Sequence, residues 1–328
     1  MGQKPEPRDP DHLFAIVDVN KEKVNFVNLK DTFKNIDVTH GMGMDYCGKN
    51  LFIAGIIPPQ RLRCASFLLI IDLSTGQRHI HNLNFVKAIH GLRTIDNCRL
   101  LVNSTQTDIL SDITMYQGHL NEDIFFDFRC NRDLENLATC FLQDKLNTPN
   151  WRGIALDDSY HVNGVAISGN NIYVTMFGAF DKKHYGKEYK GILYNITYGD
   201  VIIDNLRQPH TPYIDSKGYV CCADSANFSF VRSIGPNRIQ RVELDGYTRG
   251  ICEDPARKGY WVGISAYRKY SKTKNKWVEQ YKGDAPLKGA RIQFVDYDNK
   301  TRRTIDLAKY GIMEIFDIVP CLNGRWNN

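Results

Sequence analysis

The sequence predicts an all-β fold: a single β-propeller of six blades, closed by joining its N- and C-terminal strands in one blade. Five or seven blades are the alternatives. Three observations carry this. One strand–turn–strand unit recurs along the chain. A second hairpin usually follows each unit, which makes a four-stranded meander. The two ends of the chain are complementary halves of one further unit.

In order, His40 opens HGMGMDYCGKNLFIAG and His90 opens HGLRTIDNCRLLVNST. His161 opens HVNGVAISGNNIYVTM, His210 opens HTPYIDSKGYVCCADS, and Arg249 opens RGICEDPARKGYWVGIS. Each begins with a polar residue and an alternating strand. A turn of Gly, Asn or Asp follows, because these residues tolerate positive φ. A more apolar strand completes the unit. The second hairpins are SFLLIIDLSTGQRHIHNL (66–83), GILYNITYGDVIIDNL (191–206), FSFVRSIGPNRIQRVEL (228–244) and ARIQFVDYDNKTRRTIDL (290–307). FAIVDVNKEKVNFVNL (14–29) is a hairpin with no opening strand before it, and EIFDIVP (314–320) is an opening strand with no hairpin after it. Joining them hides the edges that would otherwise invite aggregation. Residues 106–160 read as an extended second blade with an insertion, and 267–283 as a basic, aromatic loop.

The 328 residues form one domain in this reading, since large all-β folds exceed the usual domain length. A net charge of +5 is too weak to argue for nucleic acid. No apolar run reaches the roughly 18 residues of a membrane helix. The start of the chain shows no apolar signal segment, and Glu6 stands where a myristoylation signal needs Ser or Thr. The nine cysteines form no CxxC pair, and Cys64, Cys98 and Cys222 read as buried thiols. A reducing, cytoplasmic setting is expected.

The innermost strands of a propeller line its channel, so equivalent positions form a ring. Here that ring is expected to hold His40, His90, His161, His210, Arg249 and Glu314. Imidazoles suit a divalent transition metal such as Fe, Mn, Zn, Cu or Ni better than Ca or Mg. His40, His90, His161 and His210 are the candidate ligands, with Glu314 as a ligand or as support for one. Arg249 would clamp a carboxylate or phosphate. Asn163 would sit one step deeper on the same face of its strand as His161. Asn103, Asp224, Ser225 and Asp317 read as blade-to-blade hydrogen bonds first and as site residues second. No phosphate loop, nucleophile elbow or HExxH motif is present.

The segments HVNGVAISGNNIYVTMFG, PHTPYIDSKGYVCCADS, GYTRGICEDPARKGYWVGISAYRKYS and EIFDIVP resemble a largely uncharacterised bacterial propeller family. That family carries HLNG-, PHSP-, GFTRG-, VGLS- and EIFD-like signatures and is often found with tetratricopeptide repeats. The resemblance covers about residues 158–320. It implies a propeller and a special role for His161, Asn163, His210, Arg249 and Glu314, but no reaction. HVNGVAISGNNIYVT also resembles a strand of the gluconolactonase, senescence-marker and strictosidine synthase propellers. There the residue matching Asn163 binds a divalent cation beside carboxylates. This chain has histidines instead, which speaks against Ca²⁺ and lactonase chemistry. A histidine-ringed metal is closer in architecture to carotenoid oxygenases and oligogalacturonate lyases.

The expected function is therefore a metal-dependent enzyme acting on a small, oxygenated, anionic molecule in the central funnel. Lyase or hydrolase, isomerase and oxygenase chemistry all fit. The alternatives are a propeller that binds a glycan, metabolite or protein without turnover, and a scaffold using the 267–283 loop. A small-molecule partner is expected, rather than nucleic acid or a membrane.

Overall fold

The computed structural model describes residues 14–27, 29, 32, 40–57, 65–116, 119–128, 160–178, 191–266, 289–312 and 314–320, and the backbone of short strands within 268–286. It is an all-β propeller. The first hairpin pairs β1 (Ala15–Asp18) with β2 (Lys23–Phe26). Blade 1 is the meander β3 (His40–Cys47), β4 (Asn50–Ile57), β5 (Ala65–Asp72) and β6 (Arg78–Lys87). Blade 2 is β7 (Ile89–Thr94), β8 (Arg99–Ser104), β9 (Ile109–Tyr116) and β10 (His119–Asp127). Blade 3 is β11 (Val162–Ser168), β12 (Asn171–Met176), β13 (Gly191–Asn195) and β14 (Asp200–Leu206).

Blade 4 is β15 (Pro209–Ile214), β16 (Val220–Asp224), β17 (Ser229–Ser233) and β18 (Ile239–Glu243). Blade 5 begins with β19 (Tyr247–Asp254) and β20 (Gly259–Ser265). Two small hairpins interrupt it: β21 (Arg268–Ser271) with β22 (Lys276–Glu279), and β23 (Tyr281–Lys282) with β24 (Ala285–Pro286). They fall where the sequence places its basic loop. Strands β25 (Arg291–Asp296) and β26 (Thr301–Asp306) complete the blade. Residues 129–159, most of the 106–160 stretch expected to hold an insertion in blade 2, lie outside the described residues.

The local rules are simple. Strands are rich in β-branched and aromatic residues, which suit a pleated, half-buried surface. The turn between β11 and β12 is Gly169-Asn170, with Gly169 at φ +56°. A two-residue hairpin turn needs that left-handed conformation, and glycine adopts it without steric cost.

Among the described residues there are five four-stranded blades, not the six expected. The β1–β2 hairpin and the extended segment 314–320 pack against blades 1 and 5, without forming a sixth four-stranded blade. The buried core explains why the fold still closes. One apolar cluster joins Phe14 and Leu29 beside the hairpin to Leu51, Ile53 and Phe67 of blade 1. Another joins Val24 of the hairpin and Ile315 of the segment to Trp261, Ile292 and Phe294 of blade 5. A two-stranded hairpin is unstable alone, so burial against both neighbours supplies its stability.

Among the described residues no helix is long and apolar enough to cross a membrane. Cys222 is buried as expected, but Cys98 is exposed. It lies in the turn between β7 and β8, where its N–H donates to Asp96 Oδ1 at 2.8 Å. Cys64 lies outside the described residues.

Candidate functional site

The inner strands β3, β7, β11, β15 and β19 each carry a break in pairing register near the same end, one residue later in blades 4 and 5 than in blades 1 to 3. It falls between Gly41 and Gly43, Ile89 and Gly91, Val162 and Gly164, His210 and Tyr213, and Arg249 and Ile251. Such bulges re-aim side chains and bend a strand. Here they also let the inner strands approach closely. A Cβ on Gly43 would lie 2.8 Å from Gly91 Cα, and one on Gly91 would lie 3.3 Å from Gly164 Cα.

Hydrogen bonds between blades fix which residues are equivalent. Thr105 Oγ1 donates to Val162 O at 2.8 Å, Ser225 Oγ to Thr248 O at 2.5 Å, and Ser265 Oγ to Ile315 O at 3.1 Å. Val162, Thr248 and Ile315 therefore occupy matching places. Ala88, His161 and Gln208 share a left-handed φ of 52°, 50° and 52°. One layer is thus His161, Tyr247 and Glu314, with Ala88 and Gln208. The next is His90, Asn163, His210, Arg249 and Phe316.

The expected single ring is therefore split into two layers. His161 and Glu314 stand two residues before the positions of His90, His210 and Arg249. The strand pairing puts the backbone of His40 in the layer of His161; its side chain lies outside the described residues. A two-residue step keeps a side chain on the same face of a strand, so the sequence pattern reads identically.

Two of the imidazoles are held alike. His90 Nδ1 lies 2.9 Å from Ala88 O and 2.8 Å from Thr105 Oγ1. His210 Nδ1 lies 2.8 Å from Gln208 O and 2.7 Å from Ser225 Oγ. His161 is held differently. Its ring centre is 4.1 Å from that of Phe177. Phe177 is in turn 5.7 Å from His210, so one phenyl ring contacts both histidines. His90 and His161 meet edge to face at 5.5 Å, and His210 meets Tyr247 in the same way at 5.6 Å. Burial holds the His210 imidazole well below its usual value, and Arg249, His90 and His161 add to the effect.

The Arg249 guanidinium packs against two rings, 4.3 Å from the centre of Phe316 and 5.1 Å from that of Tyr247. Its Nε and Nη1 are buried and make no hydrogen bond. Asn163 donates from Nδ2 to Pro209 O at 3.2 Å, while its buried Oδ1 accepts nothing. A cavity of about 10 Å³, the size of one water, lies against His90, Asn163, Thr211 and Phe316. It is floored by Arg93 and Asp317, whose Nη1 and Oδ2 are 3.0 Å apart. Burial pushes the Asp317 carboxyl up, and the Arg93 guanidinium opposes it.

Among the described residues, no three His, Cys, Asp or Glu side chains are grouped to hold a metal ion. The donors fit a transition metal in kind; the side chain of His40, the fourth expected ligand, lies outside the described residues.

Among the lesser candidates Asn103, Ser225 and Asp317 bridge blades, while Asp224 is held mainly within blade 4. Asn103 Nδ2 donates to Val162 O at 2.6 Å. Asp224 accepts from Arg207 N at 2.6 Å and from Asn227 Nδ2 at 2.8 Å, and it pairs with Arg241. Reading the sequence for openings missed Phe177, Tyr247, Phe316 and Thr105. One signal was present: Thr105 and Ser225 each follow their histidine by 15 residues.

Several solved structures are similar. A virginiamycin B lyase from Staphylococcus aureus is 12% identical over 80% of this chain and 68% of its own, with a TM-score of 0.41. A proposed 6-phosphogluconolactonase from Bacteroides fragilis is 11% identical over 90% of this chain and 89% of its own, with a TM-score of 0.46. Another from Bacteroides uniformis is 9% identical over 86% and 80%, with a TM-score of 0.44. No curated protein matches the chain. A family model matches residues 140–325, more than half of the chain, and the protein belongs to that family, described as Domain of unknown function (DUF4915).

Proposed function

We propose that the funnel layer containing His210 and Arg249 is an enzyme site for a small, oxygenated anion. The observation that carries this is half-buried Arg249, whose buried Nε and Nη1 have no hydrogen-bond partner. A permanent cation with unmade hydrogen bonds is costly to bury. A carboxylate or phosphate oxygen would satisfy it, and the nearby aromatic rings of Tyr247 and Phe316 pack against the cation. His210, neutral and adjacent, is suited to take a proton from such a ligand. The reading is proton-transfer chemistry, that of a lyase, hydrolase or isomerase.

Calorimetric titration of the full chain with glycolate, malate and phosphate, using glycerol as a neutral control, tests this. At least one anion should bind, and Arg249→Met should weaken it about 10- to 100-fold, as expected for a lost charged hydrogen bond. If glycerol binds as well as the anions, or Arg249→Met changes nothing, the reading fails.

A second reading keeps the transition metal. It is favoured by the 5.5 Å approach of the His90 and His161 rings and by the backbone and hydroxyl partners that hold His90 Nδ1. Metal-ligating histidines are commonly oriented in that way. In this reading His40 and His210 complete the set with His90 and His161. Metal analysis of protein purified without chelator decides it: a stoichiometric Fe, Mn, Zn, Cu or Ni, lost in His90→Gln/His161→Gln, supports the metal, and metal-free protein removes it.

A further inference from the structure

The geometry points to Thr105 and Ser225 as positioning residues that lock His90 and His210 in one neutral tautomer, with the proton on Nδ1 and the lone pair on Nε2. The inference deepens the proposed anion site, because it states what that site offers a ligand besides charge.

The argument is one of donors and acceptors. The carbonyls of Ala88 and Gln208 only accept, and each lies within 2.9 Å of a histidine Nδ1. Thr105 and Ser225 have one hydroxyl proton each, and each spends it on the next blade, on Val162 O and Thr248 O. Toward the imidazole each hydroxyl therefore accepts as well. Both partners of both rings demand a proton on Nδ1. In a neutral ring Nε2 is then the acceptor. The arrangement recurs in blades 2 and 4 with the same sequence spacing, although Thr stands in one and Ser in the other. Blade 3 departs from it: the matching stretch is Met176-Phe177, and Phe177 stacks on His161 instead.

The consequence is a preference among ligands. His210 presents a lone pair, and Asn163 presents the unsatisfied oxygen Oδ1. Acceptors on one side and a guanidinium on the other fit an anion that also carries a proton donor. A hydroxycarboxylate meets both demands; a plain carboxylate meets one.

Two-bond ¹⁵N–¹H correlation of the full chain labelled at histidine, at pH 7.5, reads the tautomers directly. His90 and His210 should each show a protonated Nδ1 and an unprotonated Nε2. In Ser225→Ala a measurable Nε2–H population should appear at His210 alone, and Ser225→Thr should restore the native pattern. Wild-type rings protonated on Nε2 would overturn the proposal even if the variants fail to fold. A Ser225→Ala spectrum identical to wild type would overturn the role of Ser225. The readout needs no ligand. Native tautomers with no anion bound would therefore sink the proposed site alone. Where anions do bind, glycolate should bind more tightly than acetate, and equal binding would overturn the ligand preference.

Discussion

Arg93 Nη1 lies 3.0 Å from Asp317 Oδ2, which ties blade 2 to the C-terminal segment past the inner strand of blade 1. Met44 of that intervening strand joins both, donating its N–H to Asp317 at 3.2 Å and accepting from Arg93 at 3.3 Å. This buried pair is the lock of the ring. Removing one partner strands the other charge in a poorly solvated place. Arg93→Met should lower unfolding free energy by about 3–5 kcal/mol, read from urea denaturation. The double variant Arg93→Met/Asp317→Leu should recover much of that loss; if it is as unstable as the single variant, the pair's charge is not the cause.

The buried state of His210 sets a pH dependence. An unfolded imidazole takes its proton near pH 6.5, and the folded one takes it only at lower pH. Between those values the unfolded chain binds more protons, so stability falls as pH drops below about 6.5 and is unaffected above it. The slope from this one group is at most about 1.4 kcal/mol per pH unit. Thermal unfolding at pH 7.5, 6.0 and 5.0 should show the loss, and His210→Gln should flatten it. A variant that keeps the full slope would mean that another group is responsible.

Ser265 latches the C-terminal segment with two hydrogen bonds, donating to Ile315 O at 3.1 Å and accepting from Ile315 N at 3.0 Å. Ser265→Ala should cost about 1–3 kcal/mol, since it strands buried backbone groups. The loss should be local. Amide exchange at Ile315 should rise far more than at Val262 in the middle of the neighbouring strand. Uniform acceleration would show that the segment does not open separately.

The close approach of the inner strands makes Gly43 intolerant of a side chain. An added Cβ would lie 2.8 Å from Gly91 Cα, a backbone atom that moves only with its strand. Gly43→Ala should destabilise by about 1–3 kcal/mol, as overpacking does. Gly76→Ala meets nothing within 4 Å, although its φ of +74° adds backbone strain. A smaller loss at Gly43 than at Gly76 would contradict the packing argument.

The sequence by itself determined the propeller and the polar face that its inner strands present. Both follow from short-range physics: alternation of apolar residues, and Gly, Asn or Asp where a turn needs them. It also brought out His90, Asn163, His210 and Arg249, which the structure places in one layer. The layers themselves were decided only in three dimensions. Residues i and i+2 face the same way on a strand, so aligning openings on the letter His could not separate His161 from the position of Asn163. The bulges that fix this register arise where five inner strands crowd together, which no local pattern records. The same holds for Phe177. It follows an ordinary strand in the sequence, yet its ring contacts both His161 and His210. The blade count was decided by tertiary packing as well, because the terminal hairpin and the 314–320 segment are stable only through burial against blades 1 and 5.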